Sequence, residues 1–303
     1  MDRLLDATAT AARLPYPGLV RQIRDLLGDS SVRVAERLVQ PLPGGGSLFV
    51  MPASDAQLAI AKLITFTPAN AGTGRPAIQG DVVVFDAASG ERTLILDGPT
   101  VTARRTAAVS LLAAQCLARN PHGPLLVIGA GAQGRAHLEA FAQGLPLREA
   151  VIVSRSAASA QALAGHARSL GLKASVANDA DAALADCALA VTCTPADGVV
   201  LRALPRPDSF IAAVGAFTPS MVELGADLCR HVARHGRVIV DTPDARHEAG
   251  DLLQAGLDVA AFASLRDVLV PAAQPAPGPV LFKSCGWGGW DLAAARLAMA
   301  GQV

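Results

Sequence analysis

Three observations in the 303-residue chain predict an α/β fold. A short apolar run, Leu125 to Ile128, leads into Gly129-Ala130-Gly131-Ala132-Gln133-Gly134 and a helical pattern, and a second apolar run follows at Ala150 to Val153. Apolar runs then alternate with Ala-rich segments as far as Val240. Upstream, Val32 to Leu96 is patterned as strands. Together these predict a Rossmann-type doubly wound parallel sheet joined to a smaller α+β part.

The glycine turn carries the first chemistry. After a strand and before a helix, G-x-G-x-x-G becomes informative. Gly129 permits the tight turn, Gly131 lets a pyrophosphate approach the backbone, and Gly134 lets helix and strand pack closely. The N–H groups of the helix start, at Ala132 and Gln133, face the phosphates with a positive dipole end. A dinucleotide is the expected cofactor. An NAD site places an acid at the end of the second strand, whereas this one ends in Ser154-Arg155-Ser156. A guanidinium and hydroxyls suit a 2′-phosphate that a carboxylate would repel, so the expectation is NADPH, with NADH used less well. The alternative for Arg155 is a solvated loop residue.

Composition bounds the rest. Hydrophobic residues make up 51% and charged residues 17%, which predicts a substantial core. Lys plus Arg equals Asp plus Glu at 26 each and aromatic residues are 4%, so nothing suggests a nucleic-acid surface. The N-terminus lacks the apolar core of a signal peptide, and no apolar run is long enough to span a bilayer. Cys116, Cys187, Cys193, Cys229 and Cys285 form no C-x-x-C pair and read as reduced thiols. The expectation is a cytoplasmic protein.

In chain order, Pro17 to Leu27 predicts a helix stopped by Gly28, and Ser47 to Met51 and Gln57 to Phe66 predict strands. Val82 to Phe85 and Thr93 to Leu96 read as a hairpin. Lys62 stands among Leu58, Ile60, Ile64 and Phe66 on one strand face. There it must snorkel at a sheet edge, pair with an acid or serve a site. Thr100 to Arg119 predicts a helix with Arg104 and Arg105 in its first turns. Cations there oppose the dipole and invite an anion, unless their stems merely cover apolar neighbours. Later candidate strands are Lys173 to Ala177, Ala188 to Cys193, Phe210 to Val214 and Val238 to Val240. Thr194 and Gly215 follow two of them and should line the crevice. Thr242-Pro243 reads as a helix cap and first turn. His231 and His235 have helical spacing but no third ligand, so no metal is expected. Pro271 to Pro279 reads as a stiff connector, after which one strand and one helix are expected to return to the first half.

The segments MPAS, AKLITFTPAN, TARRTAAVSLLAA, VIGAGAQGRAHLEA and FKSCGWGGWDLAAA, in this order over most of the chain, resemble the ornithine cyclodeaminase/μ-crystallin family. Among its members the chain is most similar to bacterial Δ1-pyrroline-2-carboxylate and Δ1-piperideine-2-carboxylate reductases. The resemblance implies a homodimer. It also implies a dimerisation and substrate domain of residues 1–119 with 280–303, and an NADP-binding domain of residues 120–279. It places Arg37, Lys62 and Arg105 around a small cyclic imino-acid substrate. Two departures from the cyclodeaminases are expected: Phe217 where they carry an Asp, and Phe49 or Val50 where they carry a Glu. Loss of both carboxylates implies ketimine reduction rather than deamination of ornithine. The alternatives are an ornithine cyclodeaminase, an alanine dehydrogenase-like NAD(P) enzyme, or a μ-crystallin-like protein that binds NADPH and a ligand.

Overall fold

The computed structural model describes residues 4–70, 73–269 and 277–300. It divides into two compact units, residues 1–105 with 287–303 and residues 106–286. The first holds α1 (Ala7–Arg13), α2 (Tyr16–Gly28), β1 (Arg33–Val34), β2 (Leu38–Leu42), β3 (Gly46–Ser54), β4 (Leu58–Phe66), β5 (Ile78–Asp86) and β6 (Arg92–Asp97). Helix α3 (Gly98–Leu117) begins in this unit and continues in the second.

The first unit is built on an antiparallel sheet in the order β1-β3-β4-β5-β6, with β2 also paired to β3. Period-two burial gives one face to the core: Phe49, Met51, Leu58, Ile60, Ile64, Val82, Val84, Leu94 and Leu96. A C-terminal helix, Gly288–Ala300, packs on α2 and on strands β3 and β4. The opposite face is also apolar but half-buried, with Val50, Ala61, Val83, Phe85 and Ile95 around the exposed Leu63.

The second unit follows the predicted alternation. Its elements are β7 (Leu125–Ile128), α4 (Ala132–Gly144), β8 (Glu149–Val153), α5 (Ala157–Ser169), β9 (Lys173–Val176), α6 (Ala180–Leu184), β10 (Leu189–Thr192), β11 (Asp197–Leu201), β12 (Phe210–Ala213) and β13 (Val222–Leu224). They continue with α7 (Ala226–His235), β14 (Arg237–Val240), α8 (Gly250–Gln254), β15 (Ala263–Ser264), α9 (Leu265–Leu269) and β16 (Val280–Lys283). The helix Gly288–Ala300 is then α10. Eight parallel strands lie in the order β15-β14-β16-β12-β10-β7-β8-β9. The order in which strands are added reverses between β7 and β10, the switch point at which open α/β sheets bind ligands.

Several expectations need correction. Val280–Lys283 does not return to the first half: it pairs with both β12 and β14 in the parallel sheet. All four of its side chains are buried, as an interior strand of a parallel sheet requires. The small parallel pair β11–β13 has no counterpart in the predicted strands, being too short to show periodicity. Thr242 occupies the cap position of a 3-10 turn, Pro243–His247, without a side-chain cap bond. Of the Pro271 to Pro279 connector, residues 271–276 lie outside the described residues.

Among the described residues, no helix is long and apolar enough to cross a membrane. His231 and His235 pack ring on ring, centroids 4.8 Å apart, and no group of three potential metal ligands is present among the described residues.

An ion pair is built into the parallel sheet. Lys283 Nζ of β16 and Asp251 Oδ2 of α8 stand 2.7 Å apart, both buried, off the line of a well-directed hydrogen bond. Burial disfavours the ammonium, but Asp251 with Cys285 and Glu223 outweighs it and raises the Lys283 pKa. Replacing Lys283 by Met leaves a buried carboxylate without its cation and should cost about 3–5 kcal/mol. Adding Asp251→Asn should recover part of that loss, because the amide keeps an acceptor for the β13 backbone. Urea unfolding of the two single variants and the double variant measures the coupling, and additive losses would contradict a paired charge.

Candidate active site

A candidate dinucleotide site lies at the carboxyl ends of β7, β8, β10 and β12, four neighbours in the sheet. Gly129, directly after β7, has φ +108°, and a Cβ there would lie 2.5 Å from the Cys193 carbonyl oxygen. A Cβ on Gly134 would overlap the Gly129 carbonyl, so α4 meets the strand end only with glycine at both positions. Gly131 is the N-cap of α4 with no side-chain cap bond, and the space beside its α-carbon is open. The first-turn N–H groups at Ala132, Gln133 and Gly134 therefore face an open cradle, which fits a pyrophosphate.

His137, one turn into α4, is fully buried. The Gln133 carbonyl, 2.8 Å from Nδ1, can only accept, so Nδ1 carries the proton and Nε2 accepts from the Ser110 hydroxyl at 3.0 Å. Burial lowers its pKa to about 4, leaving a neutral ring that pins α4 to α3. Burial likewise raises the Cys193 thiol well above its usual range.

Beyond β8, Ser156 caps α5 by accepting from Ser159 N at 3.2 Å, while Ser154 precedes it at the strand end. Arg155 is exposed and its Nη1 lies 3.2 Å from Asp197 Oδ2 on β11, a pair worth ~0–1 kcal/mol in water. Thr194 and Gly215 are brought together by a residue that sequence reasoning missed. Glu223 of β13, fully buried, accepts from Thr192 Oγ1 at 2.9 Å, Thr194 N at 2.7 Å, Thr194 Oγ1 at 2.8 Å and Gly215 N at 2.7 Å. The N–H groups of Thr194 and Gly215 are thus committed to Glu223. Asp241 ties β14 to the turn after β16, accepting from Ser284 Oγ, Cys285 N and Gly286 N at 2.8–2.9 Å.

A second group of candidate residues lies in the first unit. Lys62 is fully buried on β4, an interior strand, opposite Met51 and Val82. Of the three readings, snorkelling at an edge is excluded and pairing with an acid is realised: Nζ lies 3.0 Å from Asp291 Oδ1 of α10. Arg105 Nε reaches the same oxygen at 3.2 Å. Burial lowers the Lys62 pKa to about 8 against the pull of Asp291, and the Arg105 and Arg37 charges add to the lowering. Arg37, half-buried between β1 and β2, therefore shares this charge cluster. Arg104 turns away: it donates from Nε to the Leu14 carbonyl at 2.8 Å, with its guanidinium 4.1 Å over the Tyr16 ring. Asp291 was not foreseen, since 229 residues separate it from Lys62.

The chain matches the profile of the Ornithine cyclodeaminase/mu-crystallin family over residues 28–299. It is 41% identical over 298 residues to Delta(1)-pyrroline-2-carboxylate reductase 2 of Burkholderia ambifaria, covering 97% of this chain and 94% of that one. Identity to the Delta(1)-pyrroline-2-carboxylate/Delta(1)-piperideine-2-carboxylate reductase of Azospirillum brasilense is 40% over 299 residues, again 97% and 94%. In fold the chain is similar to Thermococcus litoralis Delta(1)-pyrroline-2-carboxylate reductase in complex with NADH and L-proline. That likeness has a TM-score of 0.90 at 21% identity and covers 98% of this chain and 96% of that one.

The Lys62 ammonium gives the first unit a pH signature. Between about pH 8, its folded pKa, and 10.5, its ordinary value, the unfolded chain holds a proton that the folded chain lacks. The Lys62 contribution to stability should therefore rise with pH across that window and be least favourable below it. Unfolding free energies of the protein and of Lys62→Met, compared at several pH values, should diverge in that sense. A pH-independent difference would mean that the ammonium is not held as described.

Proposed function

The chain belongs to the Ornithine cyclodeaminase/mu-crystallin family, and we propose that within it this nicotinamide-dependent oxidoreductase reduces the C=N bond of cyclic ketimine carboxylates. The substrates are Δ1-pyrroline-2-carboxylate, giving L-proline, and Δ1-piperideine-2-carboxylate, giving L-pipecolate. The observation that carries the reading is a fully buried lysine held beside two arginines on an otherwise apolar sheet face.

Arg105 docks on Asp291 through Nε, so its amino groups are left to grip a carboxylate, with Arg37 adding positive charge. Lys62 donates a proton to the ring nitrogen, which makes the imine carbon electrophilic. Its pKa near 8 suits a proton donor at neutral pH. Bound NADPH supplies the hydride that this carbon accepts. Gly129, Gly131, Ala132, Gln133 and Gly134 hold the pyrophosphate, Thr194 and Gly215 line the crevice, and Ser154 and Arg155 receive the 2′-phosphate. The Arg155–Asp197 pair is solvent-exposed and weak, so a dianionic phosphate displaces it readily. Phe217, packed against the apolar core of its unit, leaves no carboxylate for ornithine's second amine.

NADPH absorbance should fall with either ketimine, and L-ornithine should release no ammonia. Arg155→Ala should raise the NADPH KM far more than the NADH KM. Equal kcat/KM for the two cofactors in the unmodified protein would sink the 2′-phosphate assignment, and ornithine turnover near the ketimine rate would sink the reductase assignment.

We also propose a homodimer formed through the outer face of the antiparallel sheet, where Leu63 is 41% exposed among half-buried apolar neighbours. A monomeric soluble protein rarely leaves such a surface open. Sedimentation should give twice the chain mass, and Leu63→Glu should shift it toward one. A monomer at micromolar concentration would refute this.

A further inference from the structure

We infer that Asp291 is the positioning residue of the substrate half of the site, one carboxylate that keeps the proton donor charged and aims the carboxylate anchor. The inference rests on the reading of Lys62 as proton donor and Arg105 as anchor.

The geometry is unusually economical. Asp291 stands in the first turn of α10, where the helix dipole favours a negative charge, and it is fully buried. Its Oδ1 serves both Lys62 Nζ and Arg105 Nε, while Oδ2 has no hydrogen-bond partner among the described residues. A carboxylate used only to neutralise two buried cations would be expected to give each its own oxygen. Here both cations share one atom, so β4 and α3 are referenced to a single point. The grip on Nε also fixes the plane of the guanidinium.

Charge explains why the carboxylate is needed. The groups facing Lys62 are Asp291 from α10, Arg105 from α3 and Arg37 from the β1–β2 loop, and its cross-strand neighbours Met51 and Val82 are neutral. With Lys62 protonated, the buried Asp291 meets two buried cations, Lys62 and Arg105. An arriving carboxylate adds a second anion, and proton donation to the ring nitrogen then leaves Lys62 neutral. Removing Asp291 would leave Lys62 and Arg105 without the carboxylate that both touch, a change that favours loss of the Lys62 proton. Asp291 raises the Lys62 pKa against that tendency.

The test is the pH dependence of ketimine kcat/KM, which reports groups in the free enzyme. For the unmodified protein the rate should fall above about pH 8, as Lys62 loses its proton. In Asp291→Asn that limb should move to lower pH by about one unit or more, and the ketimine KM should rise as Arg105 loses its reference. Asp291→Glu, which keeps the charge, should hold the limb near its original pH with a lower rate throughout. Asp291→Ser takes the place of the Asn variant if the amide does not fold, and NADPH fluorescence titration reports an intact dinucleotide half. A limb and KM unchanged in Asp291→Asn or Asp291→Ser would overturn the inference. The underlying reading fails separately: Lys62→Met would then retain both the limb and a rate within a few-fold of the unmodified protein. A limb that belongs to the substrate's own ionisation would stay in place in every variant.

Discussion

Charge taken out of water must be met within hydrogen-bonding distance, and this constraint organises both units. In the first, Asp291 answers Lys62 and Arg105. In the second, Asp251 answers Lys283 and holds two β13 amides, while Glu223 collects donors from the ends of β10 and β12. Each carboxylate joins segments far apart in sequence; Glu223 does so where β10 and β12 give way to loops, and Asp291 does so between the middle of β4 and helix α3. The apolar layers supply the bulk of the burial. The carboxylates determine which loop conformations that burial can hold.

What the sequence disclosed follows from the range of the forces involved. The glycine turn was legible because its causes are local: a positive φ at Gly129 and the approach of Gly134 to the Gly129 carbonyl are settled within six residues. Lys62 was legible as a broken pattern, an ammonium in an apolar period-two row. The identity of its partner was not, because nothing in the neighbourhood of WGGWDLAAA marks the Asp as facing β4. Glu223 was invisible for a different reason. Its strand is three residues long, and its partners become neighbours only once β10 and β12 are parallel.

The misplacement of Val280–Lys283 has the same origin. A four-residue apolar run announces a strand, but strand order is decided by which edge remains open when it arrives. The second unit leaves that opening between β12 and β14. A helix that follows β16 closely in sequence belongs to the other unit, which made the whole C-terminal segment look like part of the first half.

That insertion has a consequence for how the chain reaches its native state during synthesis. β12 and β14 are made well before β16, yet they contact each other only through it, so the parallel sheet keeps two unsatisfied strand edges until residues beyond 280 emerge. Exposed apolar edges invite non-native pairing, and a nascent chain must carry them from the synthesis of β12 and β14 until β16 emerges. The same late segment then delivers α10 to the antiparallel sheet. Folding of the two units is thereby coupled in time, and chaperone demand should concentrate on the interval before the C-terminal segment is released.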